Sequence, residues 1–290
     1  MSRSGPAAAA ALLLLLVTGC GGRGSDAGSP GGDRSGGLVH VHGLGNNPAD
    51  GQVYAATHTG IFRLGPSGAS RVPGPVQDTM GFTVVGPDTF LGSGHPGPDA
   101  PGPADLGLIR SDDGGTSWKS VSLSGETDFH ALSAGGGTVY GWDPARRTIL
   151  RSDDAGRTWA DGATVTDVGA LAADPDSGQR VIATTAEGLL TSTDGGRTFA
   201  ALPVQPPRPL ILIGHAPRIG GGGSTTLAGV DAAGTPWAFS GTTWTGGTSA
   251  GGAPQAFAVL GPDRYVVATD RAVRSTEDAG RTWTDIAATG

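Results

Sequence analysis

The sequence predicts an all-β fold: a six-bladed β-propeller of four-stranded antiparallel blades, with seven blades as the alternative. Three observations predict it. First, the phrase Ser111-Asp112-Asp113-Gly114-Gly115-Thr116-Ser117-Trp118 returns at 152–159, 192–199 and 276–283, each time as (Ser/Thr)-x-Asp-x-Gly-x-(Thr/Ser)-aromatic. Its aspartates, Asp113, Asp154, Asp194 and Asp278, lie 41, 40 and 84 residues apart. The last interval is two periods, and a remnant, Ser240-Gly241-Thr242-Thr243-Trp244, falls inside it. A fixed period near forty marks a stacked or radial repeat. Second, apolar runs of about four to eight residues recur between turn signals, as short strands do. Third, glycine and proline make up about a quarter of the chain, and they recur with the repeat, so they read as turn density rather than disorder.

Each element can then be placed in order. Residues 53–62 align without a gap on 181–190, and the second stretch leads straight into a copy of the phrase. The first therefore marks a blade whose copy has eroded to Gly65-Pro66-Ser67-Gly68. Six second strands follow, at 52–57, 89–93, 138–142, 181–185, 225–230 and 264–269, with blade boundaries near 75, 124, 166, 205 and 249. The extra length of blade 2 is one proline-dense insertion, 96–105, expected as a stiff surface loop.

The phrase is expected to be a self-sufficient hairpin turn. Its aspartate can accept from backbone N–H groups two residues on. Its glycine supplies a positive φ, and the closing aromatic residue starts an apolar strand. The pattern resembles the Asp box of the BNR repeats, found in sialidases and in many unrelated β-propellers, and the repeats cover essentially all of 38–290. That resemblance implies boxes joining the third and fourth strands of each blade, remote from any active site. Asp113, Asp154, Asp194 and Asp278 are accordingly structural. The stretches His40-Val41-His42-Gly43-Leu44, Gln77-Asp78-Thr79-Met80-Gly81-Phe82 and Gly92-Ser93-Gly94-His95-Pro96-Gly97 resemble a group of bacterial lipoproteins catalogued as glycosyl hydrolases on account of their Asp boxes. More distantly the chain resembles propellers that assist photosystem assembly, which bind proteins and catalyse nothing.

Sialidases use an arginine triad, a Tyr–Glu nucleophile pair and an aspartic acid. Here the three tyrosines, Tyr54, Tyr140 and Tyr265, all fall inside second strands at equivalent positions. Arg63, Arg110, Arg151 and Arg274 fall on third strands just before real or eroded boxes and read as a repeat feature. The expectation therefore leans away from an enzyme. A glycoside hydrolase is the alternative, with Glu126, Asp128 and Asp143 as the carboxylates that could lie near one another.

The ends carry a different message. Residues 1–19 read as a lipoprotein signal peptide whose apolar run, 7–17, is too short to span a bilayer. Val17-Thr18-Gly19-Cys20 looks like a lipobox, which makes Cys20, the only cysteine, the expected site of lipidation. Residues 20–37 read as a flexible tether, and 38–290 as the propeller domain. The expected place is the extracytoplasmic face of the cell membrane, with the membrane reached through the lipid. After signal removal 18 basic residues face 26 acidic ones, which argues against nucleic acid as a partner. A monomer is expected.

Topology locates a binding face. Turns between strands 3 and 4 share one end of the propeller with turns between strands 1 and 2, leaving the other end free around the channel mouth. His58 and His95 occupy strand 2–3 turns at that free end, where blade 3 has Asp143 and blade 6 has Asp270. His42 and His130 sit where strand 1 begins in blades 1 and 3, with Met80 at the same level in blade 2 and Asp128 close by. His42, His58, Met80, His95, Asp128, His130 and Asp143 are therefore the expected ligand-binding residues. Three readings share this cluster. Its polar groups satisfy turn backbone, or they bind a small ligand or envelope protein, or His42, His58, His95 and His130 hold a metal. With a thioether nearby the metal would be copper, since soft ligands select Cu(I); no other cofactor is expected. His40 and His42 alternate on one strand and share a face.

Overall fold

Strand-forming runs in this chain are short because turn residues interrupt them every few positions, and each run buries one face only by stacking on the next blade. The computed structural model describes Met1, 37–216 and 226–289. The expected signal peptide after Met1, Cys20 and nearly all of the expected tether lie outside the described residues. Contacts divide the chain into two units, Met1–Arg34 and Ser35–Gly290, and the sheets lie in the second. Among the described residues there are six four-stranded antiparallel sheets, each in simple sequence order. The protein is a six-bladed β-propeller, and the seven-blade alternative falls.

The innermost strands are Val41–Asn46, Asp78–Gly86, Ala131–Gly135, Leu171–Ala173, Leu210–His215 and Pro254–Val259. Each touches the next, and the last returns to the first, so the ring closes. The second strands, Val53–Thr57, Thr89–His95, Thr138–Asp143, Val181–Thr185, Leu227–Asp231 and Tyr265–Thr269, match the expected set within two residues at each end. They are almost wholly buried. Tyr140 and Tyr265 are fully enclosed there, and Tyr54 nearly so. Closure between first and last blades is apolar: Leu38, Val41, Leu44 and Phe62 pack with Ala256, Val266 and Val273. Leu38 also bridges to Thr289.

The repeated phrase forms one turn four times, with one correction. Its aspartate reaches four residues on rather than two. In blade 3 the Thr158 N–H donates to Asp154 Oδ1 at 2.9 Å and the Thr158 hydroxyl to Oδ2 at 2.7 Å. Asp113, Asp194 and Asp278 take the same pair of donors from Ser117, Thr198 and Thr282. These donors stabilise the anion. For Asp194 they are the hydroxyl and then the backbone N–H of Thr198, and they hold its pKa at about 2. The buried Ser152 hydroxyl accepts from the Gly156 N–H at 2.8 Å, and its counterparts in the other three copies do likewise.

These turns also fasten blades together. Gly156 has φ +85°, and a Cβ there would stand 2.0 Å from Leu108 Cδ2 of the preceding blade. The Trp159 indole donates to Ser122 of that same blade, and Trp283 to the Thr248 carbonyl. Trp244, in the remnant copy, still donates to the Val204 carbonyl. The decayed repeat lost its aspartate and kept the tryptophan that reaches its neighbour.

Candidate functional site: a histidine rim at the channel mouth

Every blade meets the same geometric demand at the end opposite the repeated turns. The second strand ends there, turns back, and lies beside the segment leading into an inner strand. In blade 3 the turn residue is Asp143, only 1% exposed. Its Oδ1 accepts from the N–H groups of Ala145 and Arg146, and its Oδ2 from Arg146 Nε at 2.7 Å and the Thr127 hydroxyl at 3.1 Å. Burial pushes its pKa up, but the Arg146 and Thr127 hydrogen bonds outweigh that and leave it lowered. In blade 5 Asp231 takes the N–H groups of Ala233 and Thr235, and in blade 6 Asp270 takes that of Ala253. Asp143 was expected among the ligand-binding residues; its acceptors are taken by its own turn and by the Thr127 hydroxyl.

Blades 1 and 2 place histidines, His58 and His95, one position beyond the strand end that Asp143 and Asp231 hold and level with Asp270. In blade 1 the strand-end Thr57 serves the turn, its hydroxyl accepting from the Thr59 N–H at 3.1 Å, and His58 does not. His58 lies between His40 and His42. His58 Nε2 is 2.9 Å from His40 Nδ1, and His58 Nδ1 is 3.3 Å from His42 Nε2. The three ring centroids are 4.5–5.0 Å apart. Asp78 completes the group: its Oδ2 is 2.8 Å from His58 Nδ1 and its Oδ1 is 3.2 Å from His42 Nε2. In blade 2, His95 Nε2 lies 3.6 Å from Asp128 Oδ2 and 3.7 Å from Asp105 Oδ1, while His130 Nε2 is 2.8 Å from Asp128 Oδ2. The four histidines expected as one metal set thus divide between two carboxylate-centred groups. Asp78 pairs in register with His95 across the sheet of blade 2, so the groups are neighbours.

Two residues missed from sequence matter here. Asp78 lies two positions before Met80, inside a stretch already noted for its resemblance, and only the fold shows it facing blade 1. His40 lies just before the inner strand Val41–Asn46 and not on it, so its ring meets that of His42 through a left-handed backbone rather than through strand alternation. A third, Asp105, comes from the proline-dense insertion.

The backbone makes room for this. Gly94 adopts φ +144°, and a Cβ there would lie 2.0 Å from the Asp78 carbonyl oxygen. Only glycine lets the strand carrying His95 approach the strand carrying Asp78 so closely.

Electrostatics separate the two groups. Burial lowers the His42 pKa to about 4; Asp78 opposes this, while His58, His40 and His130 add to it. His42 is therefore a neutral imidazole at pH 7. The hydrogen bond that His130 donates to Asp128 raises the His130 pKa, against burial. Two carboxylate oxygens, Asp78 Oδ1 and Asp128 Oδ1, are buried without a hydrogen bond. His42, Met80 and His130 stand where the rim opens into a cavity of about 270 Å³ lined by the inner strands of all six blades.

No protein-family model matches this sequence, and neither does any curated protein. Solved structures share the fold. A GH74 enzyme of Niastella koreensis superposes with TM-score 0.59 at 17% identity, covering 86% of this chain and 45% of that one. YCF48 bound to D1 peptide gives 0.51 at 14% identity, covering 86% and 81%. A chain of the nidogen/laminin complex gives 0.60 at 14% identity, covering 81% and 92%. Identities this low show the propeller fold alone. This chain spans less than half the length of the GH74 enzymes.

Proposed function

We propose that this chain is a lipid-anchored, extracytoplasmic binding module whose histidine rim receives a small polar ligand or a segment of an envelope protein. One observation carries this reading. The turn backbone of blades 1, 3 and 5 is served by the strand-end residue, Thr57, Asp143 and Asp231. At the next position, where blade 6 puts Asp270 bonded to the Ala253 N–H, blades 1 and 2 put histidines that face other side chains, His58 hydrogen-bonded to His40 and His95 beside Asp128. Unpartnered buried carboxylate oxygens beside those histidines favour a ligand rich in hydrogen-bond donors. YCF48 is a propeller of the same fold with a bound peptide, which supports a peptide-bearing partner.

The repeated turns are proposed to be Asp boxes that hold the blades and take no part in binding. Cys20 is proposed to carry the lipid; incorporation of a fatty-acid probe should be lost in Cys20→Ala.

The hydrolase alternative draws on the GH74 likeness. Against it, the tyrosine hydroxyls are all engaged inside the fold, with Tyr140 donating to the Gly178 carbonyl and Tyr265 to that of Pro262. Burial pushes Tyr265 up to about 12. Asp143 is tied to Arg146, and Glu126 is exposed.

A photo-crosslinking residue at Glu126, beside the rim, tests the binding role when the envelope fraction is irradiated. A discrete adduct is expected there and none at Arg157, on the opposite end. Adducts at both positions, or at neither, would contradict the proposal. Sialosides and aryl glycosides should show no sustained turnover; turnover abolished by Asp128→Asn would establish the hydrolase instead.

A further inference from the structure

We propose that His40, His42 and His58 form a three-imidazole site for a divalent first-row transition ion, copper(II) or zinc, with Asp78 holding the rings in place. This site does not depend on the partner-binding role: the ion could be held whether or not a ligand ever reaches the rim.

The distances fit an ion. Each of the three residues offers one nitrogen within 4.8 Å of the others. Ligands at about 2.0–2.1 Å from a tetrahedral centre stand about 3.3 Å from one another, so small rotations of the exposed His40 and His58 rings about the mostly buried His42 would suffice. Two of the nitrogens, His40 Nδ1 and His58 Nε2, already face each other at 2.9 Å. A pair of imidazole nitrogens at that distance needs a shared proton or a shared cation between them.

The carboxylate stands where a metal-bound histidine needs one. Ligating histidines usually donate the ring N–H that is not on the metal to a carboxylate, which fixes the tautomer. With His58 Nε2 turned toward His40, its Nδ1 lies 2.8 Å from Asp78 Oδ2. The second Asp78 oxygen, 3.2 Å from His42 Nε2, is buried without a hydrogen bond, so negative charge sits just behind the rings.

The backbone is bent to bring the rings together. His40 has φ +50°, in the left-handed region that few non-glycine residues adopt and that histidine adopts more readily than most. Its neighbours hold it there: Leu38 bridges to Thr289, and the Val41 N–H donates to Gln255 Oε1, both in the last blade. As a result the His40 and His42 rings stand 4.7 Å apart. No backbone hydrogen bond of the turn needs either ring.

The donor set decides the class of ion. Imidazole nitrogen suits copper(II), zinc and nickel(II), whereas calcium and magnesium take oxygen ligands. With nitrogen and carboxylate rather than sulfur, the site selects divalent copper over cuprous ion, and copper(II) should bind most tightly along the divalent series.

Titration of the full-length protein with Cu²⁺ and with Zn²⁺, by calorimetry, tests this. One ion per chain is expected for each, with no heat from Ca²⁺ or Mg²⁺, and the Cu²⁺ form should show hyperfine coupling to imidazole nitrogen by electron paramagnetic resonance. His40→Ala and His58→Ala should each weaken binding at least tenfold, and Asp78→Asn should weaken it about 10–100-fold. Each variant's melting temperature without metal reports whether it has folded. Absence of binding by folded parent protein would overturn the site. So would binding that survives in the folded His40→Ala, His58→Ala double variant, or binding that His95→Ala and His130→Ala weaken as much as His40→Ala does. The Glu126 crosslink reads out partner binding separately, so either claim can fail alone.

Discussion

Phe129→Ala is expected to lower stability by about 3–5 kcal/mol, the usual cost of emptying a buried aromatic site, and to loosen half of the histidine rim. Phe129 is fully buried, and its ring lies 4.9 Å from that of Trp159. It covers Gly141 so closely that a Cβ on that glycine would meet the ring at 2.5 Å. Its N–H donates at 2.8 Å to the Ser93 hydroxyl of blade 2, so one residue ties two blades through side chain and backbone. Asp128 and His130 flank it in sequence. Once the anchor is lost, their 2.8 Å contact should relax, and the raised His130 pKa should move back toward its ordinary value. Denaturant unfolding gives the first quantity and NMR titration of the imidazole gives the second. A loss below about 1 kcal/mol, or an unmoved His130 titration, would contradict the anchoring role.

Asp143→Ala should cost about 1–3 kcal/mol, because it orphans two backbone N–H donors and the Thr127 hydroxyl at a buried position. The pH dependence has a definite sign. The Asp143 pKa is lower in the folded state than its ordinary 3.8. Its contribution is therefore fully present above that value and is lost as pH falls through the lowered folded value. Parent and variant should converge in acid. A stability difference that stays constant down to the lowest pH at which the protein remains folded would mean that the charge of Asp143 has no part in the turn.

The fold was legible because the repeat is written in residues that make turns. A hairpin closed by Asp154, Thr158 and Gly156 reads locally, whatever surrounds it. Blade count followed from spacing, and the end of the propeller carrying His42, His58, His95 and His130 followed from antiparallel topology. The grouping at that end was not legible. Whether His58 meets His42 or His95 depends on blade curvature, on the left-handed turn at His40, and on the close approach that Gly94 allows; none of these leaves a periodic mark. Asp143 misled for a related reason: it stands one position before the level of His58 and His95, at the buried strand end that Thr57 holds in blade 1, and its bonds to Arg146 and Ala145 show a different task. The decayed fifth copy gives the converse case, since Trp244 keeps an interblade bond where the aspartate that would advertise it is gone.

The central claim is that the rim carboxylates are held for a ligand and not for the fold. It is tested most directly by melting the metal-free Asp78→Asn, Asp128→Asn and Asp143→Asn proteins side by side. Asp78 and Asp128 each bury an oxygen without a hydrogen bond, and their ion pairs involve histidines that, apart from His42, are about 40% exposed. Partly exposed pairs of this kind contribute little, whereas a buried charge without its full set of partners is a cost that binding sites retain. The account predicts that Asp78→Asn and Asp128→Asn melt at or above the parent temperature while Asp143→Asn melts below it. If all three fall together by similar amounts, the rim aspartates are turn-builders like Asp143, and the histidine rim is part of the scaffold.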